Sequence, residues 1–277
     1  MDNTFGKTTY PFAVGRISAM WDTLLSKEQW SRLEQLRGAE IVRLLGEFGY
    51  GNGAKERTLD ALCEAQLLEV KRLMAEIAPD EALTNLFFAE YDAHNIKTIL
   101  KSRLINADVT NLLSPLGTFD TEIIRVCVSA DEYSMLGKAF ESLSMLENVT
   151  EPQAISAAVD NAVYAYIFDV LKKHRCPLLY EYFSLKAAYT NALTVLRAGR
   201  IGLSQAAADR MMISVEKSVV ALRDESVDAL ASRMAEVLEK LLNESKNDPF
   251  GIGALVCYID RRMNEVKRLR LIAASAR

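Results

Sequence analysis

At 277 residues, half hydrophobic and a quarter charged, the chain carries enough apolar material for a sizeable core, and its 13 glycines and 6 prolines are too few for a disordered or fibrous class. A formal net charge of −4 excludes the strongly basic field that wholesale nucleic-acid binding requires. That charge is uneven: residues 251–277 hold Arg261, Arg262, Lys267, Arg268, Arg270 and Arg277 against Asp260 and Glu265, about +4, which leaves about −8 on the remainder.

The first predicted element is a helix over 10–25 that opens with Tyr10, Pro11, Phe12, Ala13, Val14, Gly15 and Arg16. Ser26 with Gln29 then reads as a capping box, in which the hydroxyl and the amide side chain each take up an orphan backbone donor. The glycine-rich stretch from Gly46 to Lys55 invites a phosphate-loop reading, but a Walker A loop needs its lysine directly after the last glycine and a hydroxyl after the lysine. Here Ala54 intervenes, Glu56 follows, and a helix rather than a strand precedes, so a helix C-cap and a flexible loop are expected. Leu59, Leu62, Cys63, Gln66, Val70, Leu73, Met74 and Ile77 recur at three and four, the period of a helix, which Pro79 closes.

The next helix, over 87–104, carries Tyr91, Asp92, Ala93, His94, Asn95, Ile96 and Lys97, and Pro115 falls beyond it. Ile123–Val128 is the one strand-like run; without alternation or a hairpin turn it is expected as a buried helical segment. Ser129 with Glu132 and Thr150 with Gln153 read as further capping boxes. Ala157–Leu171 is the stretch nearest to a membrane span, but Asp160, Asn161 and Asp169 interrupt it, and no charged segment with an apolar run opens the chain. Membrane association is therefore expected through a partner, without direct insertion. Pro177 separates two helices, the second over 180–198, and Asp248 with Pro249 reads as an N-cap and first turn. The last helix, over 253–275, repeats the period with Tyr258, Ile259, Met263, Val266, Leu269 and Ile272. The predicted fold class is all-α.

Three of these helices share a pattern: Tyr91 to Lys97, then Tyr189, Thr190, Asn191 and Ala192, then Asp260 to Lys267 with Asn264, each running into aliphatic residues and an arginine. Cap-like signals follow each copy, at Leu25–Glu28, Gly117–Asp120 and Gly202–Gln205. The phasing implies three pseudo-repeated helical units, 1–86, 87–178 and 179–277, with the last helix closing against the first, since a terminal unit must cover its own apolar face. Tyr91, Asn95, Asn191 and Asn264 are the motif residues. An asparagine at one phase of several helices has two readings: its amide bridges packed elements, or the asparagines and their basic neighbours line one partner-facing surface.

No constellation for chemistry is written in the sequence. Cys63, Cys127, Cys176 and Cys257 form no C-x-x-C and read as buried thiols of a reducing compartment. His94 and His174 stand without a cysteine or carboxylate at ligand spacing, and His94 is expected to bond within its own helix. Neither a nucleophile elbow nor a marked carboxylate pair is visible. Catalytic, metal-binding and cofactor-binding residues are therefore expected to be none. Because the apolar stripe of the last helix must face the core, Arg261, Arg262, Arg268 and Arg270 cannot all point inward, and they are the candidate partner-binding residues.

The segment Tyr-Asp-x-His-Asn-Ile-Lys-x-Ile-Leu-Lys at 91–101, the opening helix with Gly15-Arg16 and Leu24-Leu25, and the terminal Asn264-Glu-Val-Lys-Arg-Leu-Arg-Leu-Ile resemble the C-subunit family of archaeal and bacterial V/A-type rotary ATPases, whose eukaryotic relative is the d subunit of the vacuolar ATPase. The resemblance spans nearly the whole chain, with a looser match at Tyr189–Asn191 and a somewhat short chain. It implies a funnel of three helical bundles without catalytic residues or cofactor, a rotor adaptor between the central-shaft subunits and the membrane rotor-ring subunits, and a cytoplasmic, peripheral location. The competing reading is a free-standing helical-repeat scaffold for protein–protein interaction; a helical enzyme lacks any visible acid, base, nucleophile or metal set.

Overall fold

A computed structural model describes residues 9–214 and 226–275. Arg277, counted above in the basic terminal segment, lies outside the described residues. Among those described, twelve α-helices and short 3₁₀ turns make up the regular structure, with no strand. The chain divides into two compact units, Met1–Thr84 together with Leu242–Arg277, and Asn85–Leu241.

The first unit holds α1 (Tyr10–Met20), α2 (Lys27–Glu34), α3 (Ala39–Glu47), α4 (Leu59–Ile77) and α12 (Gly253–Ser275). Helix α12 packs against α1 and α4. Ala13 and Ile17 of α1, Leu67, Val70 and Met74 of α4, and Ile259, Val266 and Leu269 of α12 are all buried. Each large aliphatic side chain so buried contributes about 1.5–3 kcal/mol. The capping box at Ser26 is present: the Gln29 amide N–H donates to Ser26 Oγ at 3.2 Å, and the Ser26 N–H donates to Gln29 Oε1 at 2.8 Å. The glycine segment is less free than expected. Its Gly51, at φ +68°, donates to Gln66 Oε1 of α4 at 3.1 Å, and a Cβ there would lie 2.6 Å from the Leu62 carbonyl oxygen, so the loop is docked on α4 at a position only glycine can occupy.

Helix α5 (Glu81–Asn85) ends at the boundary of the second unit, which contains α6 (Ala89–Ile105), α7 (Thr121–Ala130), α8 (Pro152–His174), α9 (Pro177–Arg200), α10 (Gln205–Asp209) and most of α11 (Val227–Ser245). Helix α8 lies against α6, α9 and the 3₁₀ segment Lys138–Leu146. Phe119, Phe140 and Tyr166 meet at ring-centroid distances of 5.5–5.7 Å, and Phe87, Tyr182 and Phe183 at 5.1–5.6 Å. Helix α8 is long and apolar enough to cross a membrane, a test that the core helix of a helical bundle also passes. Its polar residues are committed inside the unit instead: Asp160 pairs with Lys97, and the Asn161 amide holds the Met212 carbonyl and the Ser214 N–H. It is the central helix of this unit.

Several local expectations are corrected. Ser129 caps nothing, because its residue already belongs to α7, which ends one residue later and is closed by Asp131 at φ +52°. Thr150 gives no cap either; α8 starts with Pro152 behind Glu151, whose side chain makes no capping bond. Asp248 turns back on the Phe250 N–H at 2.9 Å, and α12 begins only at Gly253. Caps also form at Thr58, Asp120, Ser204 and Ser226, each accepting a backbone N–H of its first turn. Ile123–Val128 is helical as expected but only half buried: Ile124, Cys127 and Val128 face inward, Ile123 and Val126 outward.

The motif asparagines separate by depth. Asn95 is fully buried on α6, and its amide clamps one residue of the following loop, donating to the Ser114 carbonyl and accepting the Ser114 N–H, both at 2.8 Å. Asn191 of α9 makes the same two bonds to Ile213, at 2.9 and 2.8 Å. Asn264 is exposed and donates at 2.9 Å to Asp260 of its own helix. The bridging reading holds for the first two and fails for the third. Next to Asn95, Asp92 accepts the Thr118 N–H at 2.9 Å, the Thr118 hydroxyl at 2.6 Å and the Phe119 N–H at 3.1 Å. A Cβ on Gly117 would sit 2.2 Å from Asp92 Oδ1, which is why glycine stands there. Tyr91, one residue before Asp92, is half-buried. His94 bonds the Leu112 carbonyl oxygen at 3.0 Å, in the loop rather than within its helix.

Replacing Asn95 by alanine leaves both Ser114 backbone groups without their partner, so a loss of roughly 2–3 kcal/mol is expected, against no more than about 0.5 kcal/mol for Asn264→Ala. Urea unfolding followed by circular dichroism measures both, and equal losses would show that the clamp carries no special weight.

Candidate functional site

The four arginines proposed for partner binding lie on α12 in the first unit, where the structure treats them differently. Arg262 is only 2 % exposed. Its Nη1 donates to Glu265 Oε2 at 2.8 Å, its Nε to the Tyr258 hydroxyl at 3.2 Å, and its Nη2 to the Thr23 hydroxyl. The other Glu265 oxygen accepts the Leu25 N–H at 2.6 Å. Arg262 is thus corrected from a docking residue to a core residue, because Glu265 matches its charge and the oxygens of Glu265, Tyr258 and Thr23 take up one N–H on each of its three nitrogens. Arg261 is half-buried, donating to Asn243 at 3.1 Å and lying 5.5 Å from the Trp21 ring centre. Arg268 and Arg270 remain on the surface, Arg268 paired with Glu34 and stacked 4.2 Å from the Trp30 ring centre, Arg270 paired with Asp60 at 3.2 Å.

Burial pushes the Glu265 carboxyl above its ordinary value, and the Arg262 guanidinium pulls it part of the way back. Burial alone would lower Arg262; the Glu265 carboxylate and the Tyr258 oxygen outweigh it and raise Arg262 above its ordinary value. The two groups also hydrogen-bond each other, Arg262 Nη1 to Glu265 Oε2 at 2.8 Å, and such pairing with hydrogen bonds is the condition for tolerating two buried charges. Sequence reasoning missed Glu265, Tyr258 and Thr23 as members of this network. A signal was present, since 258, 262, 265 and 269 fall at spacings of four, three and four and so share the apolar stripe.

Beside the network lies a cavity of about 440 Å³, lined among others by Asp22, Thr23, Tyr50, Asn52, Glu69 and Arg262. Burial pushes the Tyr50 hydroxyl well above its ordinary value. The buried thiols behave alike: Cys63 is pushed up to about 12 by burial, and Cys127 and Cys257 are raised for the same reason. Among the described residues no group of three or more His, Cys, Asp or Glu side chains is placed to hold a metal ion.

The profile of the ATP synthase (C/AC39) subunit family matches residues 13–221, three quarters of the chain and most of both units. The chain belongs to that family. Among its relatives is the C subunit of the A-type ATP synthase of Methanosarcina acetivorans, 25 % identical over 331 aligned positions that cover 96 % of this chain and 89 % of the relative. The C subunit of the A-type ATP synthase of Pyrococcus abyssi is 25 % identical over 94 % of the chain and 79 % of its own length. Its counterpart in the V-type ATP synthase of Thermus thermophilus is 22 % identical over 96 % and 94 %. The first of these alignments is longer than the 277 residues of the chain, so segments of that C/AC39 relative have no counterpart here.

Removing one partner of the buried pair strands the other. Arg262→Met is expected to cost roughly 3–5 kcal/mol, and the Arg262→Met, Glu265→Leu double variant less than the sum of the two single changes. In the Arg262→Met variant the Glu265 pKa rises further above its unfolded value, so the folded state binds the extra proton. Its deficit relative to the parent then narrows as pH falls from about 7 toward the ordinary carboxylate value of 4.5. Thermal unfolding at several pH values checks both; additive losses with no pH dependence would contradict the pairing.

Proposed function

We propose that the chain is the non-catalytic rotor adaptor of a V/A-type rotary ATPase, linking the central-shaft subunits to the membrane rotor-ring subunits during ATP-coupled proton or sodium transport. The observation that carries this reading is the family match over residues 13–221, joined by relatives named as C subunits of A-type and V-type ATP synthases. In this reading the units 1–86, 87–178 and 179–277 surround a pseudo-threefold axis as a funnel, and the protein sits in the cytoplasm, peripheral to the membrane through the complex. A family of non-catalytic subunits fits a chain whose polar side chains are spent on holding loops to helices.

Arg268 and Arg270 are the basic residues left for docking an acidic partner. Their carboxylate partners Glu34 and Asp60 are themselves exposed, and surface pairs of this kind contribute only about 0–1 kcal/mol, so they exchange readily for a partner's carboxylates. Such a face steers association more than it fixes it.

An affinity-tagged chain expressed in its own host should bring down shaft and ring subunits together; recovery of the chain without them would sink the adaptor reading in favour of a free-standing scaffold. Reversing Arg268 and Arg270 to Glu should slow shaft association by about tenfold at low salt and flatten its salt dependence. An unchanged rate would move the docking surface to another helix. The adaptor is also expected to have no nucleotide site of its own: calorimetry with Mg-ATP should be flat, and saturable binding abolished by Lys55→Ala would overturn that.

A further inference from the structure

Helices α9 and α10 form a hairpin in the second unit, closed at its base by the Asn191 clamp on Ile213. Its tip, the turn between the two helices, is held by its own backbone. The Leu203 N–H reaches the Ala198 carbonyl oxygen at 2.9 Å around Gly202, a closure common at helix ends, and Ser204 caps α10 by accepting the Ala207 N–H at 3.3 Å. Residues 199–206 are nonetheless all exposed. Two of them are large aliphatics, Ile201 at 73 % exposure and Leu203 at 42 %. Arg197 and Arg200, in the last turn of α9, are exposed as well, and neither has an ion-pair partner among the described residues. Arg197 precedes Ile201 by four residues, so the two share a face of the helix end. Exposed Arg210 follows α10, and across 195–214 three arginines stand against one acid, Asp209, whose carboxylate takes the Gln205 amide at 2.7 Å. On a chain of net charge −4 this hairpin is locally positive.

A helix dipole favours cations in the last turn whether or not anything docks there, so Arg197 and Arg200 alone mark no surface. The dipole gives no reason for Ile201 to stand in water beside them. Aliphatic side chains projecting from a turn, with unbalanced guanidinium groups next to them, suit the boundary of an anionic bilayer, where apolar groups enter the acyl edge and cations stay with the phosphates. We propose that the turn between α9 and α10 is a peripheral membrane contact, with Ile201 and Leu203 inserting shallowly into an anionic leaflet and Arg197 and Arg200 binding its phosphate headgroups. A projecting tip fits a lipid surface better than a protein one, because lipids close around a side chain of any shape, whereas a protein needs a matching socket. The contact lies in the interface and spans nothing. It stands on this hairpin alone and does not depend on the adaptor reading.

Cosedimentation of the full-length chain with phosphatidylcholine vesicles, with and without about 30 % phosphatidylglycerol, tests this. Binding is expected with the anionic lipid only, weakening as salt rises. Arg197→Gln combined with Arg200→Gln should lower the partition coefficient at least about tenfold, and Ile201→Ser about fivefold. Both are surface changes, and unaltered thermal unfolding separates lost binding from lost structure. Arg268→Gln with Arg270→Gln removes the same charge from α12 and should leave binding within about twofold; a loss equal to that at the tip would reduce the effect to net charge and overturn the proposal. So would an absence of binding to anionic vesicles, or binding that Ile201→Ser leaves unchanged. Capture of a host protein that needs Arg197, Arg200 and Ile201, with no vesicle binding, would overturn it in favour of a protein seat. The vesicle assay contains no other subunit, so its failure leaves the adaptor reading standing.

Discussion

Glu265 receives the Leu25 N–H on one oxygen and the Arg262 guanidinium on the other, and much of the first unit follows from keeping that carboxylate satisfied away from water. A charge taken out of water costs several kcal/mol unless it is paired and its remaining lone pairs are used. Satisfying it brings the residue before the Ser26 cap onto α12, which sets where α2 begins. Arg262 then extends to the Thr23 hydroxyl and to Tyr258, whose ring lies edge-on to Trp21. One ionic pair thus ties the last helix to the turn after the first.

The second unit repeats the device with different chemistry. Asp92 on α6 accepts the N–H of Phe119, the residue before the Asp120 cap of α7, as Glu265 accepts that of Leu25 before the Ser26 cap of α2. On α9 the Asn191 amide holds its loop by clamping Ile213 on both its backbone groups. In each case a helix interior gives up an apolar position to hold a loop that would otherwise carry unpaired backbone groups. Glu265, Asp92, Asn95 and Asn191 are therefore structural anchors of this chain, each spent on the backbone of a neighbouring loop.

The same anchoring decides which charges remain for partners. Four arginines on one helix read as a basic face, yet one is buried, one is shared between Asn243 and Trp21, and two are balanced by exposed carboxylates. The surface of α12 is consequently closer to neutral than its sequence, and its capacity to attract an acidic partner rests on exchange of weak pairs rather than on unbalanced charge.

The sequence by itself determined the elements and the family. The 3.6-residue period placed α4 and α12, the recurring motif placed α6 and α9, prolines marked the start of α9 and the gap behind α4, the Ser26–Gln29 pair marked the start of α2, and the motif around 91–101 pointed to the family that residues 13–221 match. The tertiary structure decided which polar side chains turn inward. Asn95 and Asn264 look alike in their motifs, but only Asn95 stands opposite a loop whose backbone needs an amide. Ser129 with Glu132 has the spacing of a cap, yet the hydrogen bonds of α7 reach it first. Arg262 shares the stripe of Tyr258 and Leu269, and its burial is possible only because Thr23, some 240 residues earlier, and Glu265 meet it there. Periodicity is a property of one helix, whereas the satisfaction of a buried charge depends on groups brought from elsewhere in the chain, and that meeting is made only by the fold.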